Sequence, residues 1–409
     1  MQKILKISQQ TAWQILGKIV TSLSTFIVLG LVARNYGEAG TGVYTLAVTY
    51  FAIFFIFADF GFNAYVLKKI QGKDLKIQSV EFEKLLGTRL LWGSTLFLIA
   101  LGIVWFLPFA THEFAKAVIF GSSAIIVYGV FVTCNLIFQS KLKYELSAAA
   151  TSVGALSWLF IITWFIALKL SVPFLVLSHL LGWLVIIFVA LTFMKKLIQT
   201  LTPQFNLTYT KRLFKNSWPI AATLVLNVIY FRADAFILSY YKGISDTGIY
   251  NVAYQIFQSV LVLPTFIMNS FYPMMLISLK TKLNQFQKQI KLAALGLLLI
   301  SLFLALILYS LSHVIIGLIT GAGFSGSVIS LQILSFSIPA YFLSSLFMWV
   351  MIAKKMYKKT IFVYALALFF NIFLNLIFIP HYSYIAASWI TGVSEYLILG
   401  LQVVILWRR

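Results

Sequence analysis

Residues 37–51 read GEAGTGVYTLAVTYF and residues 243–257 read GISDTGIYNVAYQIF, one pattern repeated at a displacement of 206 positions. Gly37, Thr41, Gly42, Tyr44, Ala47 and Phe51 fall on Gly243, Thr247, Gly248, Tyr250, Ala253 and Phe257, and Asn63 falls on Asn269. Each copy is a glycine turn that opens an apolar helix. Glycine-tyrosine turns also recur simply because they make good interfacial hairpins. Identities that run on as far as Asn63 and Asn269 favour a duplicated unit, dividing the 409-residue chain at about 1–200 and 201–409.

Outward from the two turns, the sequence is too apolar for a water-soluble surface. Hydrophobic residues make up 61% and charged residues 10%, against roughly 25% charged in a soluble chain. A membrane-spanning helix needs about twenty mostly apolar residues. Runs of that kind, bounded by Gly, Pro and charge, predict helices at about 11–33, 43–66, 88–107, 116–138, 147–168, 174–194, 216–240, 248–277, 291–311, 327–352, 360–379 and 384–406. The expected fold class is therefore an all-α integral membrane protein of about twelve transmembrane helices in two six-helix bundles.

The net charge of +21 would suggest nucleic acid in a soluble protein. Its distribution says otherwise. With twelve helices, alternate connections and both ends (3–6, 68–89, 141–143, 195–215, 280–291, 354–359 and 408–409) carry 25 of the 31 basic residues. The opposite connections hold Arg34, Lys116, Lys169 and Lys242. Basic loops stay on the cytoplasmic side, so both termini are expected in the cytoplasm and the chain in the cytoplasmic membrane, with no nucleic acid partner. One helix more or fewer would invert half the loops and destroy the asymmetry. The two long basic connections, 67–87 and 195–215, are expected to lie as amphipathic segments on the membrane face. The first apolar stretch contains Lys18 and lacks a convincing cleavage site, so it is expected to stay as a helix.

An even number of helices per half relates the halves by an axis along the membrane normal, an arrangement used by alternating-access transporters. Ionisable groups inside the bilayer cost at least about 2.5–3.5 kcal/mol on insertion scales and mark candidate sites. Lys18 shares a stripe with Gln14, Thr21, Ser22 and Thr25. Asp59 and Asn63 continue the face of Thr45, Thr49 and Ala52. On the seventh helix Thr223, Asn227, Tyr230 and Asp234 share a face, with Arg232 turned about 200° from Asp234 so that the two do not pair. Glu395 ends a stripe of Ser388, Thr391 and Gly392. The lysine is also able to snorkel to the interface, Arg232 to sit in a structural ion pair, and the acids to be inert. Asn371 and Asn375, one turn apart, suit hydrogen bonding between helices. Pro264 and Pro339 break helices eight and ten.

Several chemistries have no residues to support them. The lone Cys134 lies in an apolar run, the four histidines have no metal spacing, and no Gly-rich phosphate loop precedes a lysine and serine. No metal and no cofactor is expected, and no ATP hydrolysis. A membrane glycosyltransferase or polymer ligase would call for paired outer acids, whereas Glu38, Glu113 and Asp246 are widely separated.

Ala33-Arg34, Gly37, Gly42-Val43-Tyr44 and Asp59-Phe60-Gly61 together resemble the first hairpin of Wzx-type polysaccharide flippases, in the superfamily shared with MATE exporters and lipid II flippases. Arg232-Ala233-Asp234, the Asn371 and Asn375 pair leading to Ile379-Pro380, and Ala386-Ala387-Ser388 with Glu395 continue the likeness. Ser383 and Ala386 stand where that family often has glycine. The resemblance implies a MATE-like fold and export, not catalysis, of undecaprenyl-pyrophosphate-linked oligosaccharide for O-antigen, capsule or exopolysaccharide assembly. Under it, Lys18, Arg232 and Arg89 would line a cationic cavity, and Asp59, Asp234 or Glu395 would carry H+ or Na+. Gln14, Thr25, Asn63, Asn227, Asn371 and Asn375 would form the polar lining. The expected state is a monomer among membrane lipids, with a glycan polymerase and glycosyltransferases of one pathway as partners. The rival transporter reading is cation-coupled multidrug efflux of the MATE type.

Overall fold

The computed structural model describes residues 2–281 and 283–407, and their side chains except at 2–9, 11, 227, 269–270, 273 and 280–281. Lys282, Arg408 and Arg409, and the side chains of Lys3, Lys6, Asn227, Asn269 and Lys280, thus lie outside the described residues. Among the described residues there is no strand. The helices are α1 (Gln2–Asp59), α2 (Phe62–Ile70), α3 (Leu75–Ile103), α4 (His112–Gly121), α5 (Ala124–Ser140), α6 (Tyr144–Ala167), α7 (Val172–Met194) and α8 (Leu207–Lys242). There follow α9 (Ile244–Val260), α10 (Val262–Thr281), α11 (Leu283–Ser310), α12 (Ser312–Thr320), α13 (Ser325–Ser335), α14 (Ile338–Ala353) and α15 (Tyr357–Trp407).

Among the described residues, eight helical segments are long and apolar enough to cross a membrane, and ten if each bent pair is one span. Two of these are double. Ala12–Ile70 has 59 residues and Tyr357–Trp407 has 51, and at 1.5 Å per residue each is more than twice as long as about 30 Å of hydrocarbon requires. Both kink at a single residue, Gly37 in α1 and Ser383 in α15. Separating the arms gives the twelve spans that the hydropathy predicts. Phe160, Phe188 and Phe369 are each about 70% exposed, a placement that suits lipid and not water.

The sequence repeat is also a backbone repeat. Gly37 has φ 64°, ψ −166°, and Gly243 has φ 87°, ψ −179°, a region open essentially to glycine alone. Thr41 Oγ1 donates to Gly37 O at 2.7 Å and Thr247 Oγ1 to Gly243 O at 2.9 Å. Tyr44 and Tyr250 are buried one turn further on. The proline breaks fall where expected. The α9 to α10 junction at Leu261 precedes Pro264, and α13 and α14 meet at 44° just before Pro339.

The chain divides into two compact units, Met1–Ile229 and Tyr230–Arg409. This division falls about thirty residues beyond position 200 because the start of α8 packs with the first unit. Phe214 meets Phe60, Phe62 and Trp92 with ring centroids 4.7, 5.1 and 5.1 Å away. In the same unit α6 and α7 approach backbone to backbone: a Cβ on Gly154 would stand 2.1 Å from Ile186 Cγ1, and one on Gly182 2.7 Å from Trp158 Cβ. Small residues allow such close packing where lipid supplies no hydrophobic drive between helices.

The connections 67–87 and 195–215 differ from the expected membrane-face segments. Gly72, at φ 73°, turns the chain directly from α2 into α3, which runs unbroken from Leu75. The acids that read as loop are satisfied in place. Glu81 takes Lys69 at 2.6 Å, and Glu83 accepts from Thr200 and Gln204 while its carbonyl accepts Gln204 N at 2.9 Å. The linker ahead of α8 is thereby fixed to α3, and Asn206 Oδ1 caps α8 by accepting Tyr209 N at 2.8 Å.

A Cβ at position 37 or 243 would meet nothing within 4 Å, so Gly37→Ala and Gly243→Ala test the backbone alone. Each is expected to cost about 1–3 kcal/mol, read as a lower thermal unfolding midpoint of the full-length protein in detergent, with membrane insertion unchanged.

Candidate functional site

In the first unit, the polar stripe of α1 borders a cleft of about 230 Å³ closed by the start of α6. Gln14, Lys18 and Thr21 face Tyr144, Ser147 and Thr151 across it. The helices meet at a small-residue contact, where a Cβ on Gly17 would be 3.0 Å from Ala148 Cβ. Gln10 Oε1 accepts Tyr144 N at 2.7 Å and anchors the start of α6. Thr21 and Thr25 turn their hydroxyls onto their own helix, at 3.0 Å to Gly17 O and 2.9 Å to Thr21 O. Lys18 is exposed, and among the described residues no carboxylate lies within 4 Å of it. Its ammonium is thus left open on the cleft, without a carboxylate partner.

Arg89 has a different setting. It was expected among the charges flanking the third helix, yet its side chain has no exposure. The cause is the break at Asp59-Phe60-Gly61. Phe60 and Gly61 take φ of 48° and 68°, ending α1 at Asp59 and starting α2 at Phe62, so that Asp59 and Asn63 converge. Arg89 Nη2 donates to Asp59 Oδ1 at 3.1 Å and Asn63 Oδ1 at 2.9 Å, with longer contacts of 3.4 Å to Asp59 O and, from Nη1, to Gly129 O. Asn63 Nδ2 donates to Val132 O at 2.9 Å. Three polar residues predicted separately, one as a cation, one as a coupling acid and one as lining, form one network.

The second unit holds two buried carboxylates, each served by a tyrosine. Asp234, 4% exposed, accepts from Tyr250 Oη and from Ala235 N at 2.8 Å, and Tyr250 Oη also lies 3.3 Å from Thr391 Oγ1. Glu395, 3% exposed, accepts from Tyr230 Oη at 2.8 Å and Ser344 Oγ at 3.3 Å. Among the described residues no cation lies within 4 Å of either acid. A buried charge needs compensation, and H+ or Na+ would supply it.

Arg232 stands apart from Asp234, as the helical spacing predicts, and reaches Gln258 Oε1 at 3.4 Å. Asn371 Nδ2 donates to Ser394 Oγ at 3.0 Å and Asn375 Nδ2 to Asn371 Oδ1 at 2.9 Å. The first of these bonds joins the two arms of α15 across the kink at Ser383, and the second extends it along the first arm. Tyr250 and Ser344 were not singled out from the sequence as partners of the acids. Tyr250 was available through the repeat; Ser344 carries no signal in a serine-rich apolar segment. No group of three His, Cys, Asp or Glu able to hold a metal occurs among the described residues.

These helices have the fold of MOP-superfamily transporters. A multidrug resistance MATE family transporter of that superfamily matches with a TM-score of 0.76 at 11% identity, over 95% of this chain and 93% of that one. A MOP superfamily transporter from Pyrococcus furiosus matches at 0.66 and 11%, over 98% and 94%. The eukaryotic MATE transporter AtDTX14 matches at 0.64 and 13%, over 98% and 96%. At such identities the likeness is one of fold. No curated protein sequence matches. Residues 7–278, about two-thirds of the chain, match the family described as polysaccharide biosynthesis protein, and the chain belongs to that family. The resemblance drawn from the sequence motifs holds at the level of this family and of the MOP fold.

Arg89 is wholly buried while Asp59 keeps 28% exposure, so removing the carboxylate strands a buried guanidinium, at up to about 3–5 kcal/mol, while replacing both by apolar residues is often neutral. Asp59→Asn should therefore destabilise the protein strongly, and an Asp59→Leu, Arg89→Met double variant should recover most of the loss in thermal unfolding. If the double variant is folded but transports nothing, the pair acts in transport as well as in stability.

Proposed function

We propose that this protein is a flippase that carries an undecaprenyl-pyrophosphate-linked oligosaccharide from the inner to the outer leaflet of the cytoplasmic membrane, for O-antigen, capsule or exopolysaccharide assembly. The observation that carries the reading is the exposed, uncompensated Lys18 at the polar cleft of α1 and α6, in a chain of the polysaccharide biosynthesis family. A diphosphate cannot enter hydrocarbon bare. Lys18 offers it a charge-assisted hydrogen bond, the hydroxyl and amide groups of Gln14, Thr21, Ser147 and Thr151 beside it suit a sugar, and the prenyl chain stays in lipid. With the inside negative, outward movement gains about 2.3 kcal/mol per negative charge per 100 mV. Return of H+ or Na+ on Asp234 or Glu395 would reset the carrier, which has no need of a cofactor.

Cation-coupled multidrug efflux is the alternative, and the two buried acids of the second unit favour it. The transporter from Pyrococcus furiosus is described as having a binding pocket of reverse polarity that suggests a different function. That description supports using the sign of the cavity charges to choose between cargoes, and Lys18 and Arg232 argue for an anion.

In cells whose surface glycan depends on this gene, Lys18→Ala and Arg232→Ala are each expected to lower surface glycan roughly tenfold, as loss of a hydrogen bond to a charged group would. The double variant should abolish it at an unchanged level of inserted protein, with lipid-linked intermediate accumulating inside. Full glycan assembly by the double variant would refute the cationic cavity. Drug resistance from the intact gene with no effect on glycan would establish efflux instead.

A further inference from the structure

The second unit contains a cavity that the transport reading does not use. Beside the lysine-bearing start of α11 and end of α14, and against the last turns of α15, a pocket of about 490 Å³ is lined by Phe286, Phe347, Val350, Val403 and Leu406, with Lys291 and Lys354 on its wall and Trp407 beside it. Its volume is that of a small-molecule site. Its chemistry is divided. The floor is apolar: Phe286 and Val350 are each 2% exposed. Both lysines are exposed, and among the described residues no carboxylate lies within 4 Å of either. Lys354 Nζ sits 5.9 Å from the centroid of the Phe286 ring, a contact that holds the ammonium over the pocket without neutralising it. Trp407, 83% exposed, stands where aromatic residues mark the boundary between hydrocarbon and headgroups.

We propose that this pocket binds an anionic diacyl phospholipid of the lysine-rich leaflet, the headgroup phosphate between Lys291 and Lys354 and an acyl chain along Phe347, Val350, Val403 and Leu406. Charge complementarity chooses the occupant. Two unpaired ammonium groups flank the apolar wall, and Lys355, Lys358 and Lys359 follow directly in sequence. Basic pockets between membrane helices on such a face recognise anionic headgroups, and a zwitterionic lipid would bring its own ammonium up against the two lysines. The acyl wall separates this site from one for soluble phosphate, which needs no hydrocarbon. The bound lipid would join α11, α14 and α15 from outside and is distinct from cargo at the polar cleft of the first unit.

Trp407 reports on the site. Full-length protein would be reconstituted with brominated phosphatidylglycerol or brominated phosphatidylethanolamine, and the quenching lost on Trp407→Phe assigned to that side chain. The Trp407 component is expected to respond to phosphatidylglycerol at roughly thirtyfold lower mole fraction, as two lysines near a membrane surface supply. A Lys291→Gln, Lys354→Gln double variant should lose the preference, and its exposed positions leave the fold intact. Val350→Trp, which fills the pocket, should remove quenching by both lipids. Equal response to the two lipids in the wild type, or an undiminished preference in the double variant, would overturn the proposal. So would displacement of brominated phosphatidylglycerol by millimolar inorganic phosphate, which would assign the lysines to a soluble anion.

Discussion

In hydrocarbon every backbone N–H and C=O must be satisfied by the protein itself, and the architecture depends on how the chain meets that demand wherever a helix stops. A continuous helix meets it unaided. A transporter also needs turns and bends, and each one releases carbonyls. Here the released groups have specific donors. Thr41 and Thr247 add a side-chain hydrogen bond to the carbonyls of Gly37 and Gly243, where a new helix begins. At the break after Asp59, Trp92 Nε1 takes Phe57 O at 2.7 Å, and Arg89 makes a longer contact with Asp59 O.

The last case links the fold to its charges. Arg89 is wholly buried, which would be prohibitive for an isolated guanidinium. It is retained because one group serves a carboxylate, an amide oxygen and two carbonyls at the point where the chain leaves α1 for α2. Removal of any one partner leaves the others without compensation, so the network specifies this bend in preference to a straight continuation. Asp234 and Glu395 differ in kind. Their partners are hydroxyl and N–H groups, which orient a carboxylate without cancelling its charge. An orientation supplied without neutralisation leaves each acid able to take up a small cation.

The spans, the duplication and the proline breaks were legible in the sequence because each is local: twenty apolar residues, a motif recurring at one spacing, a missing N–H. The pairing of groups far apart was not. Arg89 lies thirty residues from Asp59, and nothing in either helix names the other, so the arginine reads as a flanking charge. Glu81, Glu83 and Lys84 read as a loop because acids seldom occur in an apolar span. Lys69, Thr200 and Gln204 satisfy the acids and let α3 start at Leu75. Arg232 and Asp234 were separable in advance because both lie on one helix, where angular spacing is fixed by 3.6 residues per turn.

The duplication also isolates what each half has added. Near the shared turn the correspondence runs without gaps, so Tyr44 is the counterpart of Tyr250 and Val28 that of Asp234. The turn, its threonine hydrogen bond and its buried tyrosine are therefore scaffold, present in both copies. The carboxylate is not. By the same register Leu224 stands in place of Lys18, and Phe26 in place of Arg232. No intramembrane charge at these positions recurs in the other copy, although the glycine turn that follows them is repeated in both. Charges that the scaffold does not require, each confined to one copy at the insertion cost of an ionisable side chain, are the part of the molecule that stability does not explain. Cargo and coupling have to be sought there.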